Sequence, residues 1–382
     1  MTSIAYKNET IKRRFFDYLK NSKRFSPKTI EVYEGAIWIW EDFSHNADFG
    51  KFNKTAAEAF RDWLKAKKKA NSEKEVSLSH CYNTLRYLKL FFGWLSKQSG
   101  YKSKINESAV EFLNLSKADV RIATQPKDVE MPSTDEMRTV IESIKGNSEV
   151  ERRDRALISL IFLTGARITA IRTLPMGSFD RDKLTIDQDP KRGVSTKFSR
   201  KIKSALLTFS YKEPLNYFRD WFDYLEKQKK FGQDDPLFPA TRIENGTENL
   251  GYCNTGEVEP VFWKSSSSSR EIFRKRFALA GVKYYHPHTL RHLLVKEMTK
   301  LPLTEEQKKA FSQSLGHADV GTTFGTYGYG KIEEAKQIEI IRGIDFERRN
   351  IESKTSLDDD SLERLAEKIS KKIEGRQGSP QV

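Results

Sequence analysis

Apolar side chains recur at helical spacing through residues 9–115, and this periodicity constrains the fold more than any other feature of the sequence. Phe15, Phe16, Tyr18 and Leu19 begin the pattern. After a Ser26-Pro27 start signal it resumes with Ile30, Tyr33, Ile37, Trp40 and Phe43. A third helix is predicted over 56–69, with Phe60, Trp63 and Leu64 inward, and a fourth over 78–97, with Leu85, Leu88, Phe92 and Leu95 on one face. A module of four or five helices follows. Its outward positions are basic: Lys65, Lys67, Lys68, Lys69, Arg86, Lys89 and Lys97. Such lysines are either a solvated face or a contact surface for a polyanion.

The remainder is organised differently. Residues 116–132 are charged and aperiodic, with Pro126 and Pro132, and read as a connection. Ser133-Thr134-Asp135-Glu136 carries a capping-box signature. A Leu- and Ile-rich helix is predicted over 153–164, closed by Gly165. Residues 179–210 read as strands around a basic tip, Ser195-Thr196-Lys197-Phe198-Ser199-Arg200-Lys201, with Lys183–Ile186 and the segment from Ser204 extended. Helix is expected over 213–230, loop over 240–269 with a flexible serine run at 265–269, then helices over 270–280, 289–300 and 305–314. Near the end, Leu362, Leu365, Ile369 and Ile373 share one helical face. The fold class is therefore mainly α: a helical N-terminal domain, and a mixed, mostly helical second domain with a small antiparallel sheet. The expected divisions are 1–120, a linker at 121–132, the second domain at 133–349, and a charged tail at 350–382 with a short amphipathic helix.

Charge narrows the partner. Lys and Arg outnumber Asp and Glu by 67 to 53, for a net charge of +14. That excess points to a polyanion, either nucleic acid or an acidic membrane surface. No apolar run approaches the roughly 20 residues of a membrane span, and the first residues hold no apolar signal, so no membrane association is expected. Cys81 and Cys253 lie far apart and form no metal-ligand cluster. A reducing cytoplasm fits, with association to the nucleoid when bound to nucleic acid.

The chemistry gathers late in the chain. In His286-Pro287-His288-Thr289-Leu290-Arg291-His292, His288 and Arg291 stand at i, i+3 and project from one face at a helix start. A guanidinium fork suits phosphate oxygens, and a neighbouring imidazole can move a proton near neutral pH. Downstream, Ser314-Leu315-Gly316-His317 ends a helix and presents a histidine, and Tyr327 follows ten positions later. Upstream, Leu163-Thr164-Gly165-Ala166-Arg167 sets one arginine among apolar and small residues, where burial demands a partner: a bound phosphate or a core carboxylate.

Together these motifs resemble the tyrosine recombinase (phage integrase) family, whose pattern is an Arg in a TGxR helix, a Lys in a β-hairpin, HxxR, LGH and then Tyr. The resemblance covers about 9–345 and is strongest to integrases of phages and other mobile elements. It implies that the helical N-terminal part is a core-binding domain clamping double-stranded DNA, with Lys65, Lys67, Lys68, Arg86 and Lys89 as candidate contacts. It implies that Tyr327 is the nucleophile, that Arg167 and Arg291 hold the non-bridging phosphate oxygens, that His288 assists proton transfer at the tyrosine, that His317 hydrogen-bonds the phosphate, and that Lys197 protonates the departing 5′-hydroxyl. The intermediate is a 3′-phosphotyrosine, and no cofactor or metal is implied. The expected partners are double-stranded DNA, three further copies in a homotetramer on two recombination sites, and accessory DNA-bending proteins. Tyr329 competes with Tyr327, although Thr322-Thr323-xxx-Tyr327-Gly328 fits the family spacing better; Lys191, Lys201 and Lys203 compete with Lys197. Many members carry an acid three positions after the first arginine, where this chain has Ala170, so that supporting contact comes from elsewhere or is missing.

Three rival readings use the same residues differently. A type IB topoisomerase shares the chemistry but relaxes supercoils as a monomer. A catalytically inactive DNA-binding regulator needs no tyrosine, and the intact set Arg167, Lys197, His288, Arg291, His317 and Tyr327 argues against it. An RNA-binding protein ranks last, since no RNP-like aromatic motif or GxxG loop is present.

Overall fold

The computed structural model describes residues 3–68, 73–125, 129–207, 211–245, 252–329 and the short pieces 337–338 and 341–342. Lys69, the tail at 350–382 and its helix therefore lie outside the described residues. The chain divides into two compact units, 1–127 and 128–382.

Among its described residues the first unit is a bundle of five α-helices, each started by a side chain that accepts a backbone N–H. Ser3 caps α1 (Ile4–Asp17), Ser26 caps α2 (Pro27–Ser44), Asn53 caps α3 (Lys54–Ala66), Ser77 caps α4 (Leu78–Leu95) and Ser116 caps α5 (Lys117–Thr124). The expected helices appear with small shifts at their ends. The residues read as a connection from 116 are a correction: α5 occupies 117–124, because Ala123 is buried and Ser79 Oγ donates to its carbonyl from α4. Aromatic rings fill the core, with Phe52 and Phe92 stacked at 3.9 Å and Trp40 edge-on to Phe92 at 4.8 Å. One ion pair crosses it, Lys12 to Glu41 at 3.0 Å, and ties α1 to α2.

The second unit packs helices around one core and two small antiparallel sheets. The capping box is present: Ser133 and Glu136 exchange hydrogen bonds at the start of α6 (Thr134–Ser143). α7 (Glu149–Thr164) is buried on nearly every side and ends at Gly165 in the left-handed region, φ 60°. After the single turn α8 (Ile168–Ile171) come β1 (Phe179–Asp180), β2 (Thr185–Gln188) and β3 (Ile202–Ala205), ordered β1-β2-β3 with Ile186 opposite Ser204. The extended segment expected from Ser204 thus begins two residues earlier, and Ile202 and Ser204 face inward. α9 (Glu213–Asp223) runs on through a π-helical turn, Tyr224–Gln228.

Residues 240–269 correct the sequence reading twice. Two stretches of them are strand and not loop: β4 (Ala240–Asn245) pairs with β5 (Tyr252–Glu259). Of the glycines that suggest loop, Gly246 and Gly251 lie outside the described residues, and Gly256 stands at a bulge. Gly256, φ 80°, lies where the register shifts between Thr241 and Ile243. The hairpin is anchored because the Val258 N–H donates to Glu149 Oε2 at 2.7 Å. The serine run is not flexible either. Ser265 caps α10 (Ser266–Leu279), and buried Phe273 and Phe277 hold that helix in the core. The last helices are α11 (Thr289–Thr299) and α12 (Glu305–Ser314), followed by a π-helical turn, Thr322–Tyr329. Leu294, Val295, Phe311, Leu315 and Phe324 form a separate apolar cluster joining these three elements.

Candidate active site

Gly165 is where three elements meet. A Cβ there would lie 3.0 Å from Leu315 and 3.1 Å from Leu294, so α7, α11 and the end of α12 approach only because the side chain is absent. Arg167 stands two residues on. It is half-buried and serves as N-cap of α8, outside the helix in which the sequence pattern sets it, because α7 has already ended at Gly165. His288 is the N-cap of α11, and Arg291 lies in that helix's first turn.

Arg291 is the buried charge of the site, 2% exposed. Its Nη1 donates to the Gly165 carbonyl at 3.0 Å, and its Nη2 donates to the Leu315 carbonyl and meets His317 Nε2 at 2.7 Å. These contacts at Nη1 and Nη2 offset part of the cost of burying a cation. They also fix the fork between the ends of α7 and α12. His317 follows Gly316, which adopts φ 72° and whose Cβ would collide with Ile202 of β3. The turn therefore packs directly on the small sheet and delivers His317 against Arg291. Behind the ring, Nδ1 lies 2.8 Å from Thr323 Oγ1.

Electrostatics report the same convergence. Burial first, and then Arg291, Arg167, His288 and Lys197, together push the His317 imidazole down to about 3. Burial likewise lowers His288 to about 4, with Arg291, His292 and Arg167 acting in the same sense. Both rings are neutral at pH 7 in a pocket of positive potential, which suits a site for an anion.

Lys197 is exposed at the tip between β2 and β3. The tip is closed by Thr196 Oγ1 donating to the Arg200 carbonyl at 2.6 Å, and pinned by the Ser195 N–H donating to Thr173 Oγ1 at 2.8 Å. Phe198 and Ser199 turn it with φ of 62° and 50°. Lys201, a competing candidate, is held by Asp187 and Asp189 at 2.9 Å each. Lys197 lies 5.0 Å from the Phe198 ring centre and is the hairpin lysine felt by His317. Tyr327 and Tyr329 both sit in the π-helical turn Thr322–Tyr329, of which the structure describes the backbone at these two positions; Phe324, buried against Phe311 at 6.1 Å, holds that turn to α12.

The N-terminal candidates are placed in the first unit, each beside a partner of its own. Lys65 meets Asp119 at 2.9 Å, Lys67 meets Asp42 at 2.7 Å, Lys68 meets Glu73, and Lys89 meets Glu111 at 3.1 Å. Arg86 lies over the Tyr82 ring at 5.5 Å. A phosphate at the four lysines must compete with a carboxylate. Among the described residues no group of three His, Cys, Asp or Glu is placed to hold a metal ion, and no helix is long and apolar enough to cross a membrane. The residues that sequence reasoning missed are Thr323 and Ser312. The signal for Thr323 is the Thr322-Thr323 pair, read for spacing to Tyr327 and not for its hydroxyls, and that for Ser312 is the Ser312-Gln313 pair ahead of Leu315-Gly316-His317.

The profile of the phage integrase family matches residues 133–330. This chain belongs to the phage integrase family. It is a tyrosine recombinase, an enzyme that breaks and rejoins DNA strands. It is 23% identical over 321 residues to the tyrosine recombinase XerC of Lactobacillus leichmannii, spanning 82% of this chain and 92% of that one. It is 25% identical over 325 residues to XerD of Haemophilus ducreyi, spanning 79% and 92%. The integrase fold is shared with a lambda integrase dimer bound to a COC′ core site (TM-score 0.55, 16% identity, 85% of this chain and 99% of that chain). It is shared too with the Tn1549 transposon integrase in complex with a circular intermediate DNA (TM-score 0.55, 13% identity, 90% and 100%).

Proposed function

We propose that this recombinase exchanges strands between two specific sites on double-stranded DNA, in the integration or excision of a mobile element, and that Tyr327 is its nucleophile. The observation that carries the reading is the gathering of Arg167, Lys197, His288 and Arg291 about His317, beside the turn that bears Tyr327. The Tyr327 phenol oxygen attacks the scissile phosphorus and the bond to the 5′-oxygen breaks. A phenol near its ordinary value of about 10 needs a base, and neutral His288 can take that proton. Arg167 and Arg291 offset the charge that grows on the non-bridging oxygens. Lys197 gives a proton to the departing 5′-oxygen, which is a poor leaving group as an alkoxide. The phosphotyrosine keeps the ester energy, and attack by a 5′-hydroxyl from the other duplex reseals the strand.

The first unit would act as the core-binding domain, with Lys65, Lys67, Lys68, Arg86 and Lys89 on phosphates. Two sites need four protomers, so the active species is a tetramer on DNA, with accessory bending proteins as further partners, working on the nucleoid in the cytoplasm. Strand exchange tests the reading against a topoisomerase. Two labelled duplexes carrying the element's end sequences should yield recombinant joints with the wild type. Relaxed circles without joints would favour the topoisomerase reading.

A further inference from the structure

The hydrogen bonds behind His317 run in one direction, and chemistry sets it. Arg291 has only donors, so His317 Nε2, 2.7 Å from Arg291 Nη2, is the acceptor. The ring proton then sits on Nδ1 and is donated to Thr323 Oγ1 at 2.8 Å. The Thr323 hydroxyl donates in turn to Ser312 Oγ at 2.8 Å, and Ser312 donates to the Asp319 carbonyl at 3.3 Å. Each step has one donor and one acceptor, and the opposite tautomer would set an N–H against a guanidinium. Thr323 and Ser312 are 0% and 1% exposed, so water does not offer itself as a substitute. The elements matter as much as the atoms. Ser312 belongs to α12, whereas Thr323 belongs to the same turn as Tyr327.

We propose that Thr323, backed by Ser312, is a positioning residue for strand cleavage: with the Tyr327-bearing turn docked, it holds His317 in the Nδ1–H tautomer, Nε2 facing Arg291 and the phosphate. The inference rests on the recombinase reading and deepens it. Because Thr323 occupies the Nδ1 proton, any proton that His317 gains when a phosphate arrives must bind at Nε2, on the side of Arg291. Docking of the tyrosine's turn and preparation of the phosphate pocket thereby become one event. The lowered basicity of His317, caused by burial and Arg291, agrees with a neutral ring before DNA arrives.

The test is the ring state of His317 in the full chain, read from long-range 1H–15N spectra of 15N-histidine-labelled protein, with the signal assigned by its loss in His317→Gln. The wild type should show Nδ1 protonated and Nε2 bare. Thr323→Val keeps the shape and removes the acceptor; it should mix or invert the tautomer and slow cleavage of a nicked duplex about tenfold at unchanged DNA affinity. Thr323→Ser should restore both. A wild-type ring protonated at Nε2, or a Thr323→Val ring and cleavage rate equal to wild type, overturns the proposal. Should Thr323→Val fail to fold, the wild-type spectrum and Ser312→Ala decide it, the latter expected to slow cleavage roughly threefold. The two readings fail separately. Absence of any wild-type covalent adduct on cognate DNA defeats the recombinase reading and leaves the tautomer intact, whereas normal cleavage by Thr323→Val defeats only the positioning role.

Discussion

Arg291 and His317 set the electrostatic character of the pocket, and that character makes stability depend on pH in a definite direction. Burial first, and Arg291 second, hold His317 near 3 and His288 near 4 in the folded protein, whereas an unfolded histidine titrates near 6.5. As pH falls below about 6.5 the unfolded chain takes up protons that the folded pocket refuses. The contribution of these rings is thus complete above about 6.5 and is lost as pH drops toward 4. Urea midpoints at pH 7, 6 and 5 should fall in that order, and His317→Gln should flatten the slope. Midpoints that rise on acidification would contradict the assignment. At this scale the sequence was most legible. Spacing points to His288, Arg291 and His317, which the structure brings together, while the roles given to them rest on the family resemblance. Thr323 was not legible, since a hydroxyl's role depends on which ring it happens to back.

The elements meet through glycines. Gly316 holds φ 72° and lies against Ile202, so Gly316→Ala combines left-handed strain with a collision. The expected loss is about 1–2 kcal/mol from the backbone alone, together with slowed cleavage, because His317 is carried by the next bond. Thermal unfolding and a cleavage assay check it; a variant of unchanged Tm and rate would show that the turn tolerates a side chain. The helices were legible for local reasons: Ser133 with Glu136, and Gly165 after a Leu- and Ile-rich run, are signals complete within one turn. The β4–β5 hairpin was not. Its pairing joins residues up to 19 apart, Ala240 with Glu259, and its glycines imitate loop. The serine run misled in the same way, because caps and flexible segments use the same residue, and only the burial of Phe273 and Phe277 separates them.

The whole molecule carries a net charge of +14, and its affinity for DNA should be chiefly a phosphate term. The logarithm of the binding constant should fall linearly with that of salt, and replacing Lys65 or Lys89 by Ala should lower the slope by about one each. Slopes that do not change would mean that Asp119 and Glu111 keep these lysines for themselves. The chain divides into units 1–127 and 128–382, and α5, whose charged residues hide one buried alanine, lies within the stretch that reads as a connection in the sequence. The central claim is the covalent step. The most direct measurement is the adduct that survives denaturant after incubation with nicked cognate DNA. Wild type and Tyr329→Phe should each form it, linked to the 3′ phosphate, and Tyr327→Phe should not; an adduct that persists in Tyr327→Phe, or never forms with the wild type, would contradict the account.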